Sequence, residues 1–416
     1  MGTNPKRVRV AVFGIFGAGN LGNECTLSAM LLNFKRYLPS AEISCICAGP
    51  DEAAATYNIP AFPIREGRLP QIKNPIARFL AKAFLGIPLE LYRWIKVICR
   101  LKNFDMLVMT GTGMLSDLGI VPFGLHYDIL RWSLAAILSR CRLLFVSVGV
   151  GPIGRPLSRF FVKSALGLAD YRSYRDTFSK DYLESIGFQR PCDKVYPDLA
   201  FSLPRTKAPI GRVGTPHRNV IGVGLIVHSR RRATACEDQQ IYQDYITKIA
   251  TFVGGLLDRG YPVRLLIGDT RYDQRASQDL KTLVEQRGMR YKRGDIAEEP
   301  PQSVTELLSQ LENTDIVVAS RFHNVLLSLM LGKPVVAISF HEKVDALMDA
   351  LGLSEFCQDI ENIDLNRLEK QFAAIEENLT SLRLQILQRS EQYRAALDRQ
   401  YEEIAKAHRG QASAAN

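Results

Sequence analysis

Short apolar runs alternate with stretches of helical spacing along most of the chain. VRVAVFGIF (residues 8–16), EISCICA (42–48), DMLVMT (105–110) and RLLFVSV (142–148) are apolar and rich in β-branched residues, as strands buried on both faces must be. Between them NECTLSAMLLNFKRYL (23–38) and YDILRWSLAAILSR (127–140) place apolar residues three and four apart, which predicts helices. PRTKAPIGRVGTPHRN (204–219) breaks the rhythm with prolines, glycines and cations and reads as a linker. A second series follows: strands VIGVGLIV (220–227), YPVRLLIG (261–268), DIVVAS (315–320) and PVVAISF (334–340), with helices ITKIATFVGGLLDRG (246–260), SVTELLSQLENT (303–314) and VLLSLML (325–331). Alternating βα units on each side of one linker predict an α/β protein of two Rossmann-like domains facing a cleft. The expected boundaries are 1–204, a linker at 205–218, 219–363, and a charged helical tail at 364–416 that packs back on the first domain.

In open α/β sheets, ligands bind beyond the carboxyl ends of parallel strands. Two polar clusters fall there. Arg321, His323 and Asn324 follow DIVVAS, and His341, Glu342 and Lys343 follow PVVAISF. Gly332 and Pro334 end the helix between them. A surface loop capped by Ser320 is the plainer reading of the first cluster. Near the start, Gly17-Ala18-Gly19-Asn20-Leu21-Gly22 spells GxGxxG between a strand and a helix, the context of a dinucleotide site. Glu24 in the first helical turn, where a pyrophosphate would sit, and Asp51 too far downstream for a ribose argue against NAD; a tight turn packing helix on strand is the alternative. His126, just before the helix at 127–140, is a candidate to point into the cleft, although a lone histidine is more often structural.

Composition narrows the partners. The 416 residues carry a net charge of +10, which favours anionic ligands, and RNA-binding signatures or a base-reading basic helix are lacking, so nucleic acid is not expected. Eight cysteines without CxxC pairs or metal spacing read as buried thiols in a reducing cytosol, and neither a metal nor a redox cofactor is expected. No run reaches the roughly 18 apolar residues of a membrane span, and the apolar start at 8–16 reads as a strand rather than a signal peptide. Residues 71–103 hold seven Lys/Arg against one Glu among bulky apolar and aromatic side chains. That pattern fits either an interfacial helix on an anionic membrane face or an amphipathic helix packed on its domain.

SRFHNVLLSLMLGKPVVAISFHEK (320–343) resembles the polysaccharide pyruvyl transferase family: Arg-x-His at a strand end, a buried helix, Gly-x-Pro, a strand, then a lysine. The likeness extends over roughly residues 8–350. Gly19-Asn20-Leu21-Gly22-Asn23-Glu24 matches a Gly-Asn-x-Gly-Asp-Glu-like turn of the family except that Asn23 replaces the aspartate; Arg175-Asp176, Ser179, Gly187 and the PDLAF run with Asp198 match further blocks. The resemblance implies a glycosyltransferase-B-like architecture. It also implies transfer of the enolpyruvyl unit of phosphoenolpyruvate onto a sugar as a ketal. The acceptor would be an exopolysaccharide or cell-surface precursor, in lipid-linked form at the inner membrane face.

Phosphoenolpyruvate carries a carboxylate and a phosphate, and guanidinium groups hold both bidentately. Arg175 and Arg321 are the candidate grips, one from each domain, with Lys343 a third. Asn20, Glu24, Glu342 and His126 complete the candidate binding set, and His323 is the candidate acid/base. The rivals are a nucleotide-sugar glycosyltransferase of the same fold and a non-catalytic glycan- or anion-binding protein. Many such glycosyltransferases place a ribose-binding Glu ahead of Gly-x-Pro; here that position is Leu327.

Overall fold

The computed structural model describes residues 7–67, 74–117, 120–205, 218–227, 235–286 and 294–414, with the side chains of 75–84, 235–236 and 408–414 left aside. The chain divides into two compact units. The first comprises residues 1–18, 30–198 and 401–416, the second residues 19–29 and 199–400. The glycine turn expected within 1–204 thus gives Gly19–Ala29 to the second unit, and the C-terminal residues from Tyr401 belong to the first. Most of the predicted linker, residues 206–217, lies outside the described residues.

In the first unit, seven parallel strands run in the order β3-β2-β1-β4-β5-β6-β7. They are β1 (Arg9–Gly14), β2 (Glu42–Cys47), β3 (Ala61–Pro63), β4 (Met106–Thr110), β5 (Arg142–Val148), β6 (Tyr171–Tyr174) and β7 (Lys194–Val195). The order 3-2-1-4-5-6 is that of a doubly wound sheet. Helices α1 (Leu21–Tyr37), α2 (Pro50–Tyr57), α3 (Pro75–Leu101), α4 (Tyr127–Leu138), α5 (Pro156–Gly167) and α6 (Thr177–Ser185) connect the strands. Every residue of β4 is buried, which explains why that run shows no polar alternation.

The second unit repeats the scheme with six parallel strands, β10-β9-β8-β11-β12-β13. They are β8 (Ile221–Gly224), β9 (Val263–Leu266), β10 (Ile296–Glu298), β11 (Ile316–Ala319), β12 (Val335–Ser339) and β13 (Cys357–Asp359). Its helices are α7 (Ala235–Asp258), α8 (Asp273–Gln286), α9 (Val304–Glu312), α10 (Phe322–Met330), α11 (Glu342–Ala350), α12 (Leu365–Glu377) and the long α13 (Leu379–Ala414), whose last part lies in the first unit. Gly332, in the left-handed region at φ 74°, closes α10 as its spacing before Pro334 predicts. The Ser303 side chain caps α9 and that of Asp364 caps α12.

Cys25, Cys45, Cys47 and Cys141 are buried free thiols as the apolar runs predict, but Cys99 and Cys192 are exposed. Cys99 lies on the outer side of α3, where the helix keeps apolar residues in solvent.

Candidate active site

The chain order of the second sheet turns back between β8 and β11, so their carboxyl ends mark the crevice where open α/β sheets take ligands. The backbone NH of Ser320 donates to the Gly224 carbonyl at 2.8 Å and ties the two ends together. The Ser320 hydroxyl is 3.0 Å from the buried Tyr245 hydroxyl, so this serine does not cap the following helix. Arg321 holds the cap position instead, in extended conformation, and α10 begins at Phe322. His323 and Asn324 therefore stand on the first turn of a helix rather than in a loop ahead of one. The helix starts directly after the extended Arg321 and runs to Met330, ahead of Gly332.

The Arg321 guanidinium is fixed along one edge. Its Nε donates to both carboxylate oxygens of Asp273 at 3.0 and 2.9 Å, and Nη2 donates to Oδ1 at 2.5 Å. Asp273 opens α8 and is fully buried; its Oδ2 also accepts from the backbone NH groups of Gly268 (3.2 Å) and Asp269 (2.8 Å). Burial pushes the Asp273 carboxyl above the usual range, opposed by the Arg321 charge and the Asp269 NH. Among the described residues Arg321 Nη1 makes no hydrogen bond, so one amino group of a rigidly held cation is left for a ligand. Asn324, also fully buried, donates from Nδ2 to the Leu266 carbonyl at 3.2 Å and links α10 to the end of β9.

The start of α1 joins this place within the same unit. Asn20 Oδ1 accepts from the backbone NH of Gly22 (3.0 Å) and Asn23 (3.3 Å), and the Glu24 NH bonds the Asn20 carbonyl at 3.2 Å. Leu21 NH donates to the Gly268 carbonyl at 3.1 Å, and Thr270 NH to the Gly19 carbonyl at 3.2 Å. The loop after β9 and the glycine turn are thereby knitted together. Gly22 lies against the His323 ring: a Cβ there would be 2.0 Å from Nδ1. Only glycine allows the imidazole this position. The sequence pattern separates Asn20 and Glu24 from Arg321 and His323 by some three hundred residues, and the second unit brings them to one edge.

At the head of α11, His341 Nδ1 accepts from the Lys343 NH at 3.3 Å and lies 3.2 Å from the Glu342 carboxylate, which is exposed. Lys343 Nζ lies over the rings of Phe322 (5.3 Å) and Phe340 (5.4 Å), on the side of the α10 helix start. Leu327 is fully buried and offers no acceptor to any ligand.

Two candidates lie in the first unit. Arg175 follows β6; its Nε is 3.3 Å from Asp176 and its Nη1 3.5 Å from Asp198, and its guanidinium rests on Gly149, where a Cβ would be 2.3 Å from Cζ. His126 is fully buried in the turn before α4. Burial holds its imidazole below the ordinary histidine range, while Asp117 and the backbone of Ser116 and Met114 favour the proton. Neither ring nitrogen meets a hydrogen-bond partner at full geometry among the described residues. This histidine belongs to the packed interior and does not reach an open surface.

Asp273, Asp269, Thr270 and Tyr245 were not singled out by the sequence reading. GDTRYD follows β9 just as RFHN follows β11, and the rule that selected Arg321 applies equally to it. Among the described residues no group of three His, Cys, Asp or Glu side chains is placed to hold a metal ion.

The model of the family described as polysaccharide pyruvyl transferase matches residues 20–342. The amylovoran biosynthesis protein AmsJ of Erwinia amylovora is 22% identical over 310 residues, which cover 71% of each chain. Among solved structures, a glycosyltransferase from Rickettsia africae ESF-5 superposes with a TM-score of 0.56 at 12% identity, covering 97% of this chain and 98% of that one. A UDP-GlcNAc 2-epimerase from Neisseria meningitidis gives 0.55 at 10% identity, covering 94% and 99%. These structural likenesses establish the two-unit, glycosyltransferase-B-like α/β fold.

Proposed function

The chain belongs to the polysaccharide pyruvyl transferase family, and from that premise we propose that it moves the enolpyruvyl unit of phosphoenolpyruvate onto a saccharide as a pyruvate ketal. The observation that carries the reading is Arg321: a guanidinium locked on one edge by buried Asp273, with Nη1 uncommitted, at the switch point of the second sheet and two residues from His323. A small dianion needs such a fixed cation. The amino ends of α10 and α11 and the Lys343 ammonium add positive potential on the same side.

His323 is the proposed acid. Its proton goes to the methylene carbon of phosphoenolpyruvate, C2 becomes oxocarbenium-like, and one sugar hydroxyl adds there, its proton returning to His323. The bond from C2 to the phosphate oxygen then breaks, and phosphate leaves against Arg321. A second hydroxyl adds to C2 and loses its proton, which closes the ketal. Atoms balance as diol plus phosphoenolpyruvate giving ketal plus inorganic phosphate. No redox cofactor enters. Glu24 and Asn20, at the start of α1 beside His323, are the proposed contacts to the acceptor hydroxyls. A lipid-linked exopolysaccharide precursor, met at the inner face of the cell membrane, is the proposed acceptor.

The test is incubation with phosphoenolpyruvate and candidate lipid-linked saccharides, followed by mass spectrometry of the products. A gain of one pyruvate less one water, with release of phosphate, is the expected result. A gain of one hexose from a nucleotide sugar instead would replace this reading by glycosyl transfer.

A further inference from the structure

We propose that the outer face of α3 seats the first unit on an anionic lipid surface. This inference stands apart from the donor chemistry and needs none of the site residues. Helix α3 is 27 residues long; Val97 and Leu101 enter the core of the unit, while over residues 85–95 an apolar stripe stays outward: Ile87 is 71%, Leu91 60% and Ile95 61% exposed, with Leu85 and Tyr92 beside them. These positions recur at three and four residues and so form one stripe. Phe123, 67% exposed, lies at the same end of the unit; its ring packs on Tyr127, whose hydroxyl accepts from Trp94 Nε1 of α3. A helix that only packed against its own domain would turn charge, not a second apolar stripe, to the solvent.

The charges decide the occupant. Glu90 is the only acidic residue of α3, and it is turned to Arg131, Arg93 and Tyr127, which hold its carboxyl below the usual range against the effect of burial. Arg93 bonds the carbonyls of Glu66 and Gly67, and Arg100 pairs with Glu66. Lys96 is exposed, makes no ion pair among the described residues, and lies 5.5 Å over the Tyr92 ring at the margin of the stripe. Among the described residues the exposed face therefore offers apolar area and positive charge with no negative counterpart. A second copy docking on the same face would set cation against cation, whereas anionic headgroups supply the missing charge and acyl chains the apolar contact. Because two of the basic residues are spent inside the unit, apolar insertion outweighs the electrostatic part. Membrane spanning is not involved: among the described residues no helix is long and apolar enough to cross a bilayer.

The experiment is co-sedimentation of the full chain with phosphatidylglycerol or phosphatidylcholine vesicles at low and high salt. Binding to phosphatidylglycerol is expected, weaker to phosphatidylcholine and only partly reversed by salt. The double variant Leu91→Ser/Ile95→Ser should lose about tenfold or more of the partition, and Lys96→Glu a smaller factor on the anionic vesicles alone. Both should melt at the wild-type temperature, since the altered side chains are exposed. Absence of binding to either vesicle, or binding indifferent to the double variant, overturns the proposal. So does a concentration-dependent dimer in sedimentation velocity that the double variant abolishes while vesicle binding is absent.

Discussion

The two sheets share one strand order, yet their switch points differ in chemistry. In the first unit the ends of β1 and β4 close on themselves. Thr110 Oγ1 donates to the Phe13 carbonyl, Ile15 NH donates to Thr112 Oγ1 at 3.2 Å, and fully buried Phe16 lies against Gly14. No cation stands among these groups. In the second unit the equivalent ends deliver Arg321, and buried Asp273 aims it. Topology alone makes a crevice; it becomes an anion site only where a cation is both present and held. The two arginines sharpen the point. Arg175 is shared between two carboxylates, Asp176 and Asp198, so its charge is largely answered within the first unit. Arg321 answers one carboxylate along one edge and keeps an amino group uncommitted.

The largest expected effect comes from removing His323, the proposed acid beside Arg321. His323→Ala should lower turnover by about 10²–10⁴-fold with phosphoenolpyruvate binding largely kept, measured by phosphate release at saturating donor. Near-wild-type turnover would remove His323 from the mechanism. Next, Asp273→Ala breaks a buried pair and strands the guanidinium. A cost on the order of 3–5 kcal/mol in unfolding free energy is expected by denaturant titration, with weakened donor binding in the protein that still folds. Gly22→Ala forces the imidazole from its place, so turnover should fall while Arg321-dependent binding persists; unchanged kinetics would show that the ring position is not needed.

A smaller effect separates the first unit. Its buried His126 has a lowered pKa, so near its ordinary value of 6.5 the unfolded chain binds a proton that the folded chain refuses. Stability from this group is then present above about pH 6.5 and lost as pH falls toward the folded value. Melting temperature should drop below that pH, and less steeply in His126→Gln. An equal slope in both proteins would mean that other groups set the acid limit.

Strand and helix order and the cluster at 320–343 were legible because buried parallel strands and the residues past their ends leave local signatures. The joining of Gly19–Ala29 to the second unit was not legible: no local pattern shows that Gly22 faces His323, since that contact joins residues far apart in the chain. Asp273 was missed for a related reason. A carboxylate at a helix start reads as an ordinary first-turn acid, and only its burial against Arg321 reveals its part. For α3, sequence showed cations among bulky residues but not that the arginines turn inward and the leucine and isoleucines outward, because both faces share the same helical period.

The second unit, through Arg321, is proposed to hold a small dianionic donor. Thermal unfolding with and without millimolar phosphoenolpyruvate tests it, because a ligand that binds only the folded state raises the melting temperature. Phosphoenolpyruvate should stabilise wild type, His323→Ala and Arg175→Ala alike and lose most of its effect on Arg321→Ala, while UDP-, GDP- and CDP-sugars shift none of them appreciably. Strong stabilisation by a nucleotide sugar with none by phosphoenolpyruvate, or a phosphoenolpyruvate shift that survives Arg321→Ala, would contradict the account.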